Sequence, residues 1–558
     1  MGNAFTPCGA PDFTPSTWQL NPGIHTTLTE SERTRPSLLQ SKMFWVGILY
    51  FAEGFPLGVF YDVFPVHFRQ QGVSLAGIGL LSLLGLAWTL KFLWAPAVDH
   101  FRHHRRWMFG ADICMAAILL LFAVHAGFGP WVWFAIGAFT LLSATNDIAI
   151  DGYTIEMLDR HELGLANGLR IAFYRAGMLT AGVILICSDM LGWAGAYTAG
   201  AVVFLLAGLT CLKAPRERYR QAAAGITPTV ELKALLAHPL ALAGVVLFLL
   251  GVLWLVDRTT GWSRSVEYFW WYVFAGAALP ILYSGRYMRQ AEHAGAQRPP
   301  LTEGPVFGAL LEMLRRPSIL PVILFILIFK LGDSAMGFMI KPFWVDSGFS
   351  AAQIGLVSVN IGLVLSIAGG IVGGWFTDRA GIFRGLWVLG LLQAVSNLGY
   401  AWAAHIIPSV PAGTPVTANH QALMYLASAL ESFTGGLGTA AFLAFLMAIV
   451  NKRHSATEYA LLSSVFALSR SVSGWAGGYG AEAMGYADYF LLTFFLAFPA
   501  YLLLPWVRRM LAYAALQPDA GQDSQEESRA DNAAGIGDGL AADDADTGAV
   551  TPAGTRNP

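Results

Sequence analysis

Apolar residues run through this chain in long blocks, not in the short periods of a surface helix or a half-buried strand. Twelve blocks stand out, near 43–65, 73–98, 107–125, 131–157, 164–187, 193–212, 319–340, 353–377, 385–406, 421–450, 458–483 and 486–507. Each approaches or exceeds the ~20 residues a helix needs to cross the hydrocarbon core of a bilayer. Two further blocks, near 240–257 and 266–288, lie between the sixth and the seventh. The pattern predicts an all-α polytopic membrane protein of about fourteen transmembrane helices.

The charged connectors test that count. With a cytoplasmic N-terminus and fourteen crossings, eighteen Lys and Arg residues fall in inside loops, and four (Arg69, Arg258, Arg264 and Lys341) fall outside. Positive charge concentrates on the cytoplasmic side of membrane proteins, so both termini are expected in the cytoplasm. A single crossing between 240 and 288 would invert every later loop. The layout expected is a tail at 1–42, a six-helix half at 43–213 and a central region at 214–318 holding the extra hairpin. A second six-helix half follows at 319–510, then an acidic tail at 511–558. That tail is rich in Ala and Gly and has nine acids between Asp519 and Asp546, so it is expected to be disordered. Residues 1–42 lack the apolar core of a cleavable signal peptide.

Composition narrows the function classes. The chain has 558 residues, 55% of them hydrophobic and 13% charged, and its mean hydropathy is +0.53. This is too apolar for a soluble protein of the same length. A net charge of −2 without a basic stripe gives no footprint for nucleic acid. Four scattered cysteines offer neither a disulfide framework nor a metal site. No phosphate-binding loop, nucleophile elbow or dinucleotide fingerprint is present, so neither an enzyme nor a cofactor or metal is expected.

The chemistry must then lie in charges held at membrane depth, where each costs about 2.5–3.5 kcal/mol on insertion scales. Ser143–Leu158 closes the fourth block and carries Asp147 and Asp151, four residues apart and on one helical face. They suit either a polar path or a structural salt-bridge cluster at the inner helix end. Arg170 and Arg175 on the next helix are natural partners for them. Lys330 and Asp333, three apart in the seventh block, can neutralise each other or take part in coupling. The remaining candidates for a substrate path are Glu53, Asp62, Asn146, Tyr174, Asn360, Asn397, Glu431 and Arg470, with Glu431 and Arg470 a possible pair. Lys91 is expected to snorkel to the cytoplasmic surface, and Asp112 to pair with loop arginines.

The halves echo each other. Asp99 and Arg102 follow the second block, and Gly374-Trp-Phe-Thr-Asp378-Arg379-Ala-Gly381-Ile-Phe-Arg384 follows the eighth. The latter fits the major facilitator loop pattern, and both loops are expected to latch helix ends by charge pairing. Tyr174-Arg175 is echoed by Ser469-Arg470. Two repeat-related halves with a site between them is the plan of a secondary transporter.

The chain further resembles the AmpG family of muropeptide permeases in the major facilitator superfamily. The resemblance runs from Gly72 to Trp506 and is carried by Lys91-Phe-Leu-Trp-Ala-Pro96, Asn146-Asp147-Ile-Ala-Ile-Asp151, Tyr174-Arg175-Ala-Gly177, Phe329-Lys330-Leu-Gly-Asp333-Ser334, Gln393-Ala-Val-Ser-Asn397 and Ser455-Ala-Thr-Glu458-Tyr459. It departs at Asn146, where the family usually has Gln, and at Glu53 and Asp62 in the first helix. The resemblance implies proton-driven import of anhydro-muropeptides across the bacterial inner membrane for cell-wall recycling. The implied partners are a sugar–peptide solute, protons and the bilayer, and the implied carrier is a monomer. Related branches carry siderophores or acetyl-CoA. A receptor or scaffold that binds without translocating is the alternative of another class.

Overall fold

In a computed structural model, the described residues are 41–91, 94–95, 98, 103–125, 127–158, 163–215, 236–260, 268–293, 313–411, 414–450 and 455–516. The expectations for the two tails, for Asp99, Arg102 and Arg264, and for most of the 289–318 connector fall outside them.

Helix occupies the core of each of the fourteen apolar blocks. In chain order these are α1 (Lys42–Gln70), α2 (Leu75–Leu90) and α3 (His104–Val124). Then come α4 (Pro130–Met157), α5 (Leu163–Lys213), α6 (Pro239–Thr260) and α7 (Phe269–His293). The second half follows as α8 (Ile319–Asp346), α9 (Ala351–Ala380), α10 (Ile382–Ile406), α11 (Ala418–Ala448), α12 (Ser455–Met484), α13 (Tyr486–Tyr501) and α14 (Leu504–Ala515). α5 holds two apolar blocks and breaks at Gly192, whose φ of 70° suits a residue without Cβ. Among the described residues, eight helices are long and apolar enough to cross a membrane, nine if α13 and α14 form one span bent by 49°.

α1 to α5 form one bundle and α8 to α14 another; one aromatic-rich core runs across both, and α2 packs on α12 between them. α6 and α7 pack chiefly on each other and turn Leu240, Leu247, Trp271 and Leu282 outward. That is the surface a hairpin in lipid would present. The end of the molecule holding Lys42 and Ala515 is called the near end, and the opposite one the far end.

Four helices lose their regular geometry where the bundles face each other, α2 by a 3-10 turn at Ser82–Gly85. α1 takes a π-helical turn at Val59–Val63 and α9 at Ile354–Ile361. α8 is interrupted at Lys330, with φ −100° and ψ 14°. π-turns and broken membrane helices gather at functional sites, because freed backbone groups are tolerated only beside a cavity or a partner.

Candidate functional site: a charged cavity and two ion clusters between the bundles

A cavity of about 280 Å³ lies at the interface, lined by Asp62, Asp333, Ser358, Glu431, Thr439 and Arg470 among others. Asp62 comes from the π-turn of α1 and Ser358 from that of α9. Asp62 lies 3.4 Å from Lys341 Nζ, which also donates to Ser358 Oγ at 2.7 Å. Lys341, assigned to an outside loop from its place in the sequence, is in fact a buried residue of α8 that joins the bundles. α8 runs six residues past its apolar block, to Asp346.

Lys330 has three donors and three acceptors within reach. It donates to Gln393 Oε1 at 2.9 Å and Thr439 Oγ1 at 3.0 Å, and pairs with Asp333 at 3.0 Å. Glu431 and Arg470 do not form the ion pair suggested by their sequence positions. Arg470 lies over the Tyr61 ring of α1, 4.0 Å from its centroid, while Glu431 accepts from Ser432 Oγ at 3.3 Å. With Asp62 and Asp333 each matched to a lysine, Glu431 and Arg470 are the cavity charges without a salt bridge among the described residues.

A second cluster sits nearer the near end, on the first bundle. Asp147 and Asp151 are 3.8 and 3.9 Å from Lys91 Nζ. Asp151 is also 3.2 Å from Arg170 and accepts from the Tyr50 hydroxyl at 2.9 Å, and Arg170 stacks over the Tyr50 ring. Lys91 is thus a member of the cluster, where the sequence had suggested free snorkelling. Glu53 lies buried within the field of these charges, and its Oε2 has no hydrogen-bond partner. Lys91, Asp151 and Arg170 keep 34%, 29% and 43% of their side-chain surface exposed, so the cluster is wetted from the near end. Arg175 is not part of it: no described acid lies at ion-pair distance. Five residues past Arg170 is about 140° around the helix, which turns it to another face.

The other candidates are packing groups. Asn146 donates to Asp112 at 3.0 Å, inside the first bundle. Asp112 is fully buried there, and its described hydrogen-bond partners are Asn146 and Cys211, the latter 3.9 Å away. Tyr174 presents its backbone to Gly54, where a Cβ would lie 1.9 Å from the Tyr174 oxygen. Asn360 abuts Gly182, and Asn397 donates to Thr493 inside the second bundle. Arg379 stacks on Trp375 in its own helix, and no described partner pairs with Asp378 or Arg384.

The far end is closed. Arg69 forms a bidentate pair with Asp346 at 2.6 and 2.7 Å, and Tyr486 donates to the same carboxylate at 2.6 Å. Glu482 accepts from the Ala76 amide, and Asp189 from that of Ala352. Gly79 and Gly478 bring backbones together, since a Cβ on Gly79 would lie 2.7 Å from the Gly478 Cα. The polar links between the bundles, among the described residues, run from this seal down to Asp62–Lys341. Nothing in the sequence spacing of Arg69, Asp346 and Tyr486 signals that they meet.

Two helical bundles, sealed at one end and holding an ionic cavity between them, define a membrane transporter. The chain belongs to the Major Facilitator Superfamily, whose sequence profile matches residues 43–417. It is 28% identical over 481 residues to the anhydromuropeptide permease of Escherichia coli K12, covering 84% of this chain and 79% of that one. It is 24% identical to the putative transporter AmpG 4 of Rickettsia conorii, covering 84% and 96%. The resemblance to the AmpG permeases is borne out, and these relatives are transporters, not enzymes. In fold it is similar to an auto-inhibited peptide transporter of the POT family, with a TM-score of 0.57 at 15% identity over 86% of this chain and 98% of that one. A bacterial homolog of the lysosomal transporter Spinster matches at a TM-score of 0.57 and 12% identity, over 87% of this chain and all of the other.

Proposed function

We propose that this protein is a proton-coupled importer of anhydromuropeptides across the bacterial inner membrane, with fourteen crossings and both termini in the cytoplasm. The observation that carries the cargo class is the pairing pattern of the cavity. Asp62 and Asp333 are spoken for by Lys341 and Lys330, which leaves one carboxylate, Glu431, and one guanidinium, Arg470, to meet a solute. A sugar–peptide carries both an amine and carboxylates and matches that pair. The relative named anhydromuropeptide permease supports the same reading. Asp62, absent from the family pattern, adds no net charge once Lys341 is counted, so it does not argue for a different cargo.

The transport cycle follows from which contacts must break. The far-end seal faces the periplasm in this reading, and the wetted cluster faces the cytoplasm, so the state is open inward. Asp147 and Asp151 share Lys91, and Asp151 also pairs with Arg170. The proton reaches Asp151 from the periplasmic side with the solute and leaves it to the cytoplasm in this inward-open state, which restores the contacts to Arg170 and Tyr50 and lets the emptied carrier rock back. Opening outward then requires the Arg69–Asp346 pair to part. Uptake of labelled anhydromuropeptide into proteoliposomes, with and without an imposed pH gradient, tests the proposal. Gradient-dependent accumulation is expected. Binding without accumulation would identify a receptor, and accumulation of a siderophore in its place would identify another cargo.

A further inference from the structure

The near end of the second bundle carries a basic groove that shares no residue with the cavity or the near-end ion cluster. α14 turns away from α13 by 49° at the end of the span. It buries Leu504, Val507 and Met510 against the bundle, and Arg508 and Arg509 remain exposed. The angle between α14 and α10 opens a cavity of about 880 Å³. Its rim holds three arginines, Arg384, Arg508 and Arg509, and its walls include Phe383, Trp387 and Leu504. None of the three guanidiniums has a described carboxylate partner. Arg508 is 5.9 Å from the centroid of the Phe383 ring, and Trp387 is half exposed, as aromatic residues are at a membrane interface.

We infer that this groove binds the headgroup of an anionic phospholipid. Three planar guanidiniums without acids provide the donors and the charge that a phosphodiester needs. Basic pockets between transmembrane helices on the cytoplasmic side are built this way for anionic lipid headgroups. The aromatic and aliphatic wall beneath suits the glycerol and the upper acyl chain. α14 is amphipathic and lies where a bilayer surface would be, so the lipid is already at hand. The chain's own acidic tail follows α14 and has the right charge, but it has few apolar residues to fill the wall.

The full-length protein in phosphatidylcholine vesicles, titrated with fluorescent cardiolipin, tests the inference. The triple variant R384Q/R508Q/R509Q should bind cardiolipin about 100-fold more weakly than the wild type, from the summed attraction of three charges near the surface. The triple lysine variant keeps the charges and should stay within a few-fold. Lys213→Gln, also exposed near that end but outside the groove, should bind like the wild type. Should the triple glutamine variant fail to fold, Arg508→Gln alone, with a loss of several-fold, makes the same comparison. Equal binding by a folded glutamine variant overturns the inference. Complete displacement of cardiolipin by inorganic phosphate makes free phosphate the ligand and also overturns it. Cardiolipin binding that appears only after residues 517–558 are removed makes the tail the occupant, with the same consequence.

Discussion

The two ion clusters, one on each bundle, have similar ingredients and opposite finish. Lys330 in the second bundle is saturated, with partners at 2.9, 3.0 and 3.0 Å, and it is almost fully buried. Lys91 in the first stands 3.8 and 3.9 Å from two carboxylates, longer than a hydrogen bond, and is about one-third exposed. Beside it, one oxygen each of Asp147 and Glu53 has no hydrogen-bond partner. A buried charge with every donor satisfied has one low-energy arrangement. A charge shared loosely among several acids has more than one, and water reaches it. The second bundle thus holds a fixed hub and the first a loosely shared cluster, the place proposed above for proton coupling.

The largest effect should come from the loose cluster. Asp151→Asn removes the acid that holds both Arg170 and Tyr50. Gradient-driven accumulation should fall at least 100-fold while counterflow exchange, which needs no net proton movement, continues. Full pH-driven uptake by this variant would break the comparison and pass the coupling role to Asp147. Lys91→Ala should likewise lose coupling before it loses folding.

Lys330→Ala should act differently, on the protein as a whole. Removing one member of a buried ion pair costs about 3–5 kcal/mol, because it strands the other charge. Uptake, exchange and membrane abundance should all drop together, and Lys330→Ala/Asp333→Ala should recover abundance. An abundant Lys330→Ala protein that exchanges but does not couple would show that the hub, too, is a switch.

A smaller effect is expected at the far-end seal. Arg69→Gln leaves Asp346 with Tyr486 alone, so the seal should open more often without unfolding the protein. Labelling of a Ser358→Cys reporter in the cavity by an impermeant thiol reagent added at the far end should speed up several-fold, and unchanged labelling would show that the Gly79–Gly478 contact closes this end unaided. The smallest effect belongs to Arg175→Gln, which removes a charge with no described acid partner. Less than a twofold change in uptake is expected, and a loss as large as that of Asp151→Asn would place Arg175 back in the cluster.

Much of this was legible in the sequence, and the legible part has one character. The apolar blocks announced the helices because a spanning helix must hide its backbone from lipid over a set length. Asp147 with Asp151, and Lys330 with Asp333, were readable because helical geometry alone puts residues three or four apart on one face. The helical place of Lys341 is not legible because a block's end says where hydrophobicity stops and not where the helix stops. The partners of Lys91 are not legible because snorkelling and pairing look alike until the neighbouring helix is in place.

The all-helical membrane-spanning class, the near-end charge bias and the short-range pairs on one helix face follow from local periodicity and transfer free energy. Packing brings Arg69 to Asp346 across 277 residues, neutralises Asp62 with Lys341 and turns Arg470 to Tyr61 instead of Glu431. It also decides which end is shut. Those facts depend on the rotation of each helix about its axis and on how the two bundles lean together. A helix fixes the angle between its own residues, but packing against its neighbours sets the angle it presents to them.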